Sequence, residues 1–445
     1  MKEFTTYRQT KSIIHEHLDQ IYWNRITFVS PLKWLFSLAT IKLKLSIISS
    51  KLLAYRIIGN DKMSFAMQKL VRGTIYLDDL LIDTYLRYKP SPWVNWQDIF
   101  MTEIAVLANT YINFYQSIFG GSKNFGSVAL SYGAYIHHGI AMRLAYKESM
   151  KVVSYGCRSC FAKLHDSSKA INNPSHTPDF DTLTPSAARR VTSKIKSKAQ
   201  YSLELRRSGN YDETMIYMNT NAKFLDYAEK LHIKDSRILM LHDFFDSPHC
   251  YGDILFEDFW EWAKTTISTC VENNLQLLVK PHPNQIPGNE RIIKLLASMY
   301  KDSNLIKWLS PQVKSAFLLN KSPSLIITAY GSVASEAAYC GIPVLFAGDH
   351  PGINFNLGKR PDSIEEYIEC LINPNAISVP SKESVVDFTS LLYRDIYNES
   401  WASLSSAVGV DFEEFERLQG STLNTKKIQI HLKSNSQKIL TYINS

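Results

Sequence analysis

Cysteine is sparse and scattered in this 445-residue chain, with six in all. They fall at Cys157, Cys160, Cys250, Cys270, Cys340 and Cys370. Only Cys157-Arg-Ser-Cys160 forms a close pair, and no second CxxC completes a zinc site. Buried or incidental thiols are therefore expected rather than zinc or redox use. The opening residues, MKEFTTYRQTK, hold no apolar run of the signal-peptide kind, so a cytoplasmic protein is expected. The stretch 26–58 is rich in Leu, Ile and aromatics but is broken by Lys33, Lys42, Lys44 and Lys51. It offers no uncharged span of about 20 residues for a transmembrane helix. Two readings of it stay open: a basic, apolar segment lying on the inner face of a membrane, or amphipathic helices packed with lysines outward. There is no internal repeat and no low-complexity tract. The basic residues are dispersed without an RNA- or DNA-binding signature, so nucleic acid is not expected as a partner.

What is present is a globular composition, 45% hydrophobic and 20% charged, in a chain long enough for two sizeable cores. The net charge of +7 permits anionic partners without choosing among them. From Arg237 onward, short apolar runs alternate with helical patterns. Arg237–Leu241, Leu275–Val279, Leu325–Thr328 and Pro343–Phe346 read as strands, with Asn304–Leu309 as an extended piece. Helices are expected over 254–274, 289–300, 311–320, 333–340 and 363–371. This alternation implies a parallel, doubly wound sheet. A second α/β unit is expected upstream, with strands at 127–131 and 152–155, a helix over 139–149, and helical additions at 63–72 and 96–119. Residues 1–230 are assigned to this first domain and 231–385 to the second. Residues 386–445 are expected to supply a C-terminal helix returning to the first domain, and a tail.

Four clusters carry chemistry. In LIITAYGSVASEAAYCGIPVLF (Leu325 to Phe346), Gly331 permits a positive φ or a close backbone approach where strand becomes helix. Ser332 reads as the N-cap, and Ser332, Ser335 and the nearby N–H groups could cradle a phosphate at the carboxyl edge of a sheet. Glu336, a turn further, could reach a ribose hydroxyl. The alternative is a capped helix with an incidental surface Glu. In Lys280-Pro281-His282-Pro283 the prolines stiffen the backbone around His282, and Lys280 adds charge beside it. The third cluster, Leu241-His242-Asp243-Phe244-Phe245-Asp246-Ser247-Pro248-His249, concentrates carboxylates and imidazoles at a strand end as nucleophile and acid–base candidates. Its alternative is an Asx-rich loop capping the next helix. The fourth, Ser131 to Gly139 with Arg143 a turn later, offers His137, His138 and Arg143 to an acceptor across a cleft, or is simply a polar helix start.

The run KPHP…TAYGSVASEAAYCGIPVLF resembles the donor domain of GT-B glycosyltransferases, which have two facing Rossmann-like domains with parallel sheets. It is similar in particular to bacterial capsule and O-antigen enzymes whose His-Pro and Ser-rich turns hold a nucleotide sugar. The resemblance covers mainly Arg237 to Asn373, with a weaker echo at Ser131 to Arg143. Within that group HDFFDSPH resembles the loop that retaining β-Kdo transferases place beside CMP-Kdo, where an Asp is the covalent nucleophile. Asp246 is the closest match and Asp243 the second.

The resemblance implies a transferase moving a sugar from a nucleotide donor, CMP-Kdo, to a lipid-linked or oligosaccharide acceptor of a surface polysaccharide. His282 joins the catalytic set, and Lys280, His282, Gly331, Ser332, Ser335 and Glu336 bind the donor. No metal and no cofactor beyond the nucleotide sugar is implied, and no DxD-type motif stands in a donor-side loop. Three other readings stay open. They are a CDP-polyol phosphotransferase of the teichoic-acid type, a non-hydrolysing UDP-sugar epimerase, and a silent scaffold of a polysaccharide-assembly complex.

Overall fold

The computed structural model describes residues 75–394, apart from 120–126, 131–132, 156–161, 166–176, 178–179, 211, 213 and 215–232. The stretch 26–58, the helix expected over 63–72, the Cys157–Cys160 pair, Ser131, Tyr132 and the tail after 394 lie outside the described residues. Chain contacts divide the molecule into Met1–Ile57 with Trp401–Ser445, and Ile58–Ser400. All that follows concerns the second unit.

Its first part is a small lobe. Helix α1 (Asp78–Tyr88) and α2 (Ile99–Phe119) are followed by β1 (Ser127–Leu130), α3 (Tyr135–Lys147), β2 (Lys151–Tyr155) and β3 (Ala162–His165). Helix α3 crosses from β1 to β2, which pair in parallel. Leu80, Leu86, Met101, Tyr115, Ile140 and Leu144, all on the helices of this lobe, are buried. Two sequence expectations change here. Helix α1 was not expected, and its polar residues Asp79, Asp83 and Thr84 are buried along with its apolar ones. The small sheet is also mixed rather than parallel, since β3 runs antiparallel to β2. Only residues 156–161 separate those strands. That is too short for a parallel crossover, which needs a dozen residues or more.

The larger lobe begins with α4 (Pro185–Ala188) and α5 (Ser193–Arg207). Then come β4 (Arg237–Met240), α6 (Phe259–Glu272), β5 (Leu277–Lys280), α7 (Asn289–Met299), β6 (Ile306–Trp308), α8 (Ser315–Leu319) and β7 (Leu325–Thr328). Helix α9 (Val333–Tyr339), β8 (Val344–Phe346), α10 (Ile364–Ile372) and α11 (Lys382–Leu392) complete it. The five strands are parallel in the order β6-β5-β4-β7-β8. The chain winds outward from β4 to β6, returns beside β4 as β7, and winds outward again to β8. The direction of winding therefore reverses between β4 and β7, which is where open α/β sheets bind ligands.

Strand residues alternate between two cores, as the pleat requires. Ile238, Leu278, Ile326 and Val344 meet Leu203, Ala334, Ala337 and Phe388 on one face. Leu239, Val279, Ile327 and Leu345 meet Phe259, Trp262, Leu296 and Tyr367 on the other. Leu183, Ala188 and Leu203 thus share the core of the large sheet. Helix α11 packs on α5, α4 and α9.

Helix α6 starts later than its apolar pattern, at Phe259 instead of residue 254. Asp258 caps it by accepting from Glu261 N at 2.8 Å, while Glu261 accepts from Glu257 N at 2.8 Å. This reciprocal arrangement fixes the start one position at a time. Ile254 is drawn instead into a bridge with Gly348.

Candidate functional site

Three of the four clusters meet at the carboxyl edge of the large sheet, because β4, β5 and β7 are adjacent there. His242 follows β4, His282 follows β5 and Tyr330-Gly331 follows β7. The His242 ring lies 6.5 Å from that of His282 and 4.4 Å from that of Tyr330, with Phe259 behind it at 5.0 Å. His242 Nε2 shares a hydrogen bond with Thr328 Oγ1 at 3.2 Å. Burial, and then the neighbouring His282, push the His242 pKa down to about 3, so this ring is neutral.

The Gly331 turn is built for close approach. A Cβ on Gly331 would sit 2.6 Å from Thr328 Oγ1, which accepts the Gly331 N–H at 3.0 Å. That N–H is thereby withdrawn from the phosphate cradle expected of it. Ser332 stands at the N-cap position but has helical backbone angles and caps nothing with its side chain. It is exposed, whereas Ser335 is buried. Sequence reasoning missed His350, which anchors the turn from behind. Its Nδ1 accepts from Gly352 N at 3.0 Å, its ring stacks on Phe346 at 4.3 Å, and it hydrogen-bonds the Gly331 backbone. Burial pushes its pKa down to about 3.

Glu336 turns inward. It lies among Arg206, Asp212 and Lys280, and burial raises its carboxyl pKa. Lys280 is 4% exposed and points to the same face of the sheet. Burial pulls its ammonium down to about 8, against the pull of Glu336. The two groups act electrostatically on each other near the Gly331 turn. His282 is held as its prolines imply. Its Nδ1 lies 2.7 Å from the Asn284 carbonyl and 3.1 Å from the Asn284 N–H, so the ring is pinned through Nδ1 and Nε2 is left for a ligand. Burial lowers the His282 pKa, opposed by the Asn284 bond.

The two carboxylates of the HDFFDSPH loop have different surroundings. Asp243 is buried and braces the loop, accepting from Phe245 N at 2.9 Å and Ile286 N at 2.6 Å. Burial raises its pKa to about 6 despite those bonds. Asp246 is exposed, with Oδ1 accepting from Ser247 N at 3.0 Å and from the Tyr135 hydroxyl at 3.4 Å. Tyr135 opens α3 of the small lobe with φ of 63°, a left-handed backbone that is rare for an aromatic residue. Tyr330 closes the loop from the large lobe by donating to the Ser247 carbonyl at 2.6 Å.

The fourth cluster divides. His137 and His138 are buried near the start of α3, their rings 4.3 Å apart, and His137 stacks on Tyr135 at 5.7 Å. Arg143 is tied into the packing of the small lobe. Its guanidinium makes a two-pronged pair with Asp79, at 2.8 Å on one side, and donates to the Tyr76 carbonyl at 2.6 Å. From α1, Asp83 reaches the large lobe, accepting from Ser247 Oγ and from His249 Nδ1. The only sequence trace of this contact is the i, i+4 spacing of Asp79 and Asp83 within an apolar run. Among the described residues no group of three or more His, Cys, Asp or Glu could hold a metal ion. No helix among them is long and apolar enough to cross a membrane.

No protein-family model matches the chain, and no curated protein does. Solved structures show distant similarity. The β-Kdo 2,4 transferase KpsC of Thermosulfurimonas dismutans is 15% identical, with 60% of this chain and 80% of that chain covered and a TM-score of 0.34. S. aureus MnaA, solved with UDP, is 14% identical over 74% of this chain and 94% of its own, with a TM-score of 0.32. Anabaena HepE, solved with UDP and glucose, is 12% identical over 66% and 81%, with a TM-score of 0.29.

Proposed function

We propose that this chain is a nucleotide-sugar-dependent glycosyltransferase of the GT-B type, working by double displacement through Asp246. The observation that carries the reading is the open carboxylate of Asp246, at the end of β4 beside the point where the sheet reverses its winding, facing a hydroxyl from the second lobe. A ligand bound at such an edge has its reacting carbon within reach of one carboxylate. The motif resemblance adds the donor: CMP-Kdo, whose carboxylate and phosphate are both anionic.

In the first displacement an Asp246 oxygen bonds to the anomeric carbon. The bond from that carbon to the phosphate oxygen breaks, and CMP leaves with the electron pair. Protonated on both nitrogens, His282 donates from Nε2 to the departing phosphate, and the Lys280 ammonium beneath it adds positive potential. In the second displacement an acceptor hydroxyl attacks the same carbon and Asp246 leaves, so configuration is retained overall. Asp243 acts as the brace that aims the loop, and its buried, doubly hydrogen-bonded state supports Asp246 as the nucleophile. His137 and His138 stand on the acceptor side.

The test is a thermal-shift panel of CMP, CDP, UDP and GDP, followed by incubation with CMP-Kdo and oligosaccharide or lipid-linked acceptors. Stabilisation by CMP, with CMP release and a new glycoside, is the expected result. Interconversion of a UDP-sugar without acceptor would instead identify an epimerase. A preference for CDP-glycerol would identify a polyol-phosphate transferase.

A further inference from the structure

Asp83 belongs to none of the motifs that mark the donor edge, yet both its oxygens are committed to the Asp246 loop. It lies on α1 one turn beyond Asp79, with its side chain 1% exposed. Oδ2 accepts from Ser247 Oγ, and Oδ1 is 2.8 Å from His249 Nδ1. Burial raises the Asp83 pKa, opposed by the charge and hydrogen bond of His249 and by the Ser247 hydroxyl. With the carboxylate ionised, the shared proton is on Nδ1. In the neutral ring Nε2 then carries the lone pair. The His249 side chain keeps 13% of its surface open.

Two other buried carboxylates, Asp79 and Asp212, pair with Arg143 and Arg206, cations that keep their charge near neutral pH. The Asp83 contact differs because its partner is a group that can give and take a proton near neutral pH. Burial pulls the His249 pKa down, but the charge and hydrogen bond of Asp83 outweigh it and hold the ring above its ordinary value. Asp79 and Asp253 also face the ring and act in the same direction, with Asp79 itself paired to Arg143. Ser247, which follows Asp246, links the two: its N–H donates to Asp246 Oδ1 at 3.0 Å and its hydroxyl donates to Asp83, so the dyad grips the loop beside the nucleophile.

We infer that His249, oriented by Asp83, takes the proton of the acceptor hydroxyl in the second displacement, and that Asp83 is its positioning residue. This rests on the glycosyltransferase reading above. As the acceptor oxygen bonds to the anomeric carbon, its proton passes to His249 Nε2. The bond from that carbon to Asp246 breaks, and its electron pair returns to the carboxylate. The imidazolium then gives its proton to solvent. An orienting carboxylate behind an imidazole fixes the tautomer and stabilises the charged ring that forms.

Rapid mixing of the full chain with CMP-Kdo, with and without an oligosaccharide acceptor, separates the two displacements. CMP release and the intact mass of the glycosyl-protein adduct read the first; glycoside product reads the second. His249→Ala and Asp83→Asn are expected to form the adduct at the wild-type rate. They should pass it to acceptor about 10²-fold more slowly, the usual scale for a lost general base. Free imidazole should restore product formation in His249→Ala. In Asp83→Asn the rise of the second step with pH should move to lower pH, because the ring loses the charge that holds its pKa up. The inference is overturned if either variant transfers to acceptor at the wild-type rate. It is equally overturned if both displacements fall together without imidazole rescue, since the contact would then be packing alone. If Asp83→Asn does not fold, His249→Ala with imidazole decides the matter. A wild-type protein that forms no adduct and releases no nucleotide brings down the glycosyltransferase reading, and this inference with it.

Discussion

His242 and His249 belong to one loop and are both largely enclosed, yet the protein treats them in opposite ways. His242 packs between Phe259 and Tyr330 on the large lobe, with only a threonine hydroxyl as partner, and burial strips its charge. His249 meets a carboxylate carried by a helix of the small lobe, and its charged form is favoured. The loop is therefore aimed by both lobes. The large lobe supplies strand ends that are neighbours by sheet topology. The small lobe supplies single side chains, Asp83 and Tyr135, that arrive from helices. The same division runs through the carboxylates, where Asp243 braces the large lobe internally and Asp246 looks outward to Tyr135.

The sharpest way to break this contrast is at the two carboxylates. Asp246→Asn should reduce sugar transfer by about 10⁴-fold or more, the scale of a lost nucleophile, while CMP still raises the melting temperature. Full activity in that variant would falsify the nucleophile assignment. The next largest effect concerns the support of the small lobe. Asp79→Asn leaves the Arg143 guanidinium buried without its charged partner, and urea unfolding should register a loss of about 3 kcal/mol. A loss below about 1 kcal/mol would mean that the pair contributes little to holding α1 against α3.

The brace at Asp243 has a pH signature. Its folded pKa of about 6 lies above the ordinary carboxylate value, because burial favours the protonated form. The folded state then binds more protons than the unfolded state between about pH 4 and 6. This contribution to stability is fully present below about pH 4 and is lost as pH rises through 6. Its size is on the order of 3 kcal/mol. Asp243→Asn should remove that component, so the difference in unfolding free energy between pH 4.5 and pH 7.5 should be smaller in the variant. An unchanged difference would assign the slope to other groups, such as Asp258, which burial also raises to about 6. The smallest effect is expected at Tyr135→Phe. One 3.4 Å hydrogen bond to Asp246 is lost, so transfer should slow only a few-fold, about 1 kcal/mol or less. A loss of 10²-fold would place Tyr135 in the chemistry rather than beside it.

Much of the large lobe was legible in the chain. Strands of apolar residues must be buried on both faces in a parallel sheet, and runs such as RILML and LQLLV separated by helical spacings leave few other arrangements. Gly331 before a helix and the prolines around His282 each impose a local conformation, so their places at strand ends could be inferred. The burial of helix α1 was not legible, because no local rule shows that its carboxylates at Asp79 and Asp83 will meet Arg143 and His249 far along the chain. Neither was the inward turn of Glu336, since a single acidic residue in a helix does not reveal which neighbour will face it. His350 was hidden for the same reason. Its role depends on Gly331, nineteen residues away in the chain but in hydrogen-bond contact in space.

The sequence by itself determined the doubly wound sheet and the chemistry gathered at its edge, because pattern and local backbone restriction act over a few residues. Only the tertiary structure decided which of those groups are charged, which are open and which are spent on support. Asp83 and His249 are 166 residues apart, and no local rule links them. Their pairing exists because α1 is buried against the rest of the lobe and carries its carboxylate to the loop. Protonation follows from that placement, since the free energy of a charge is set by its burial and its partners rather than by its neighbours in the chain.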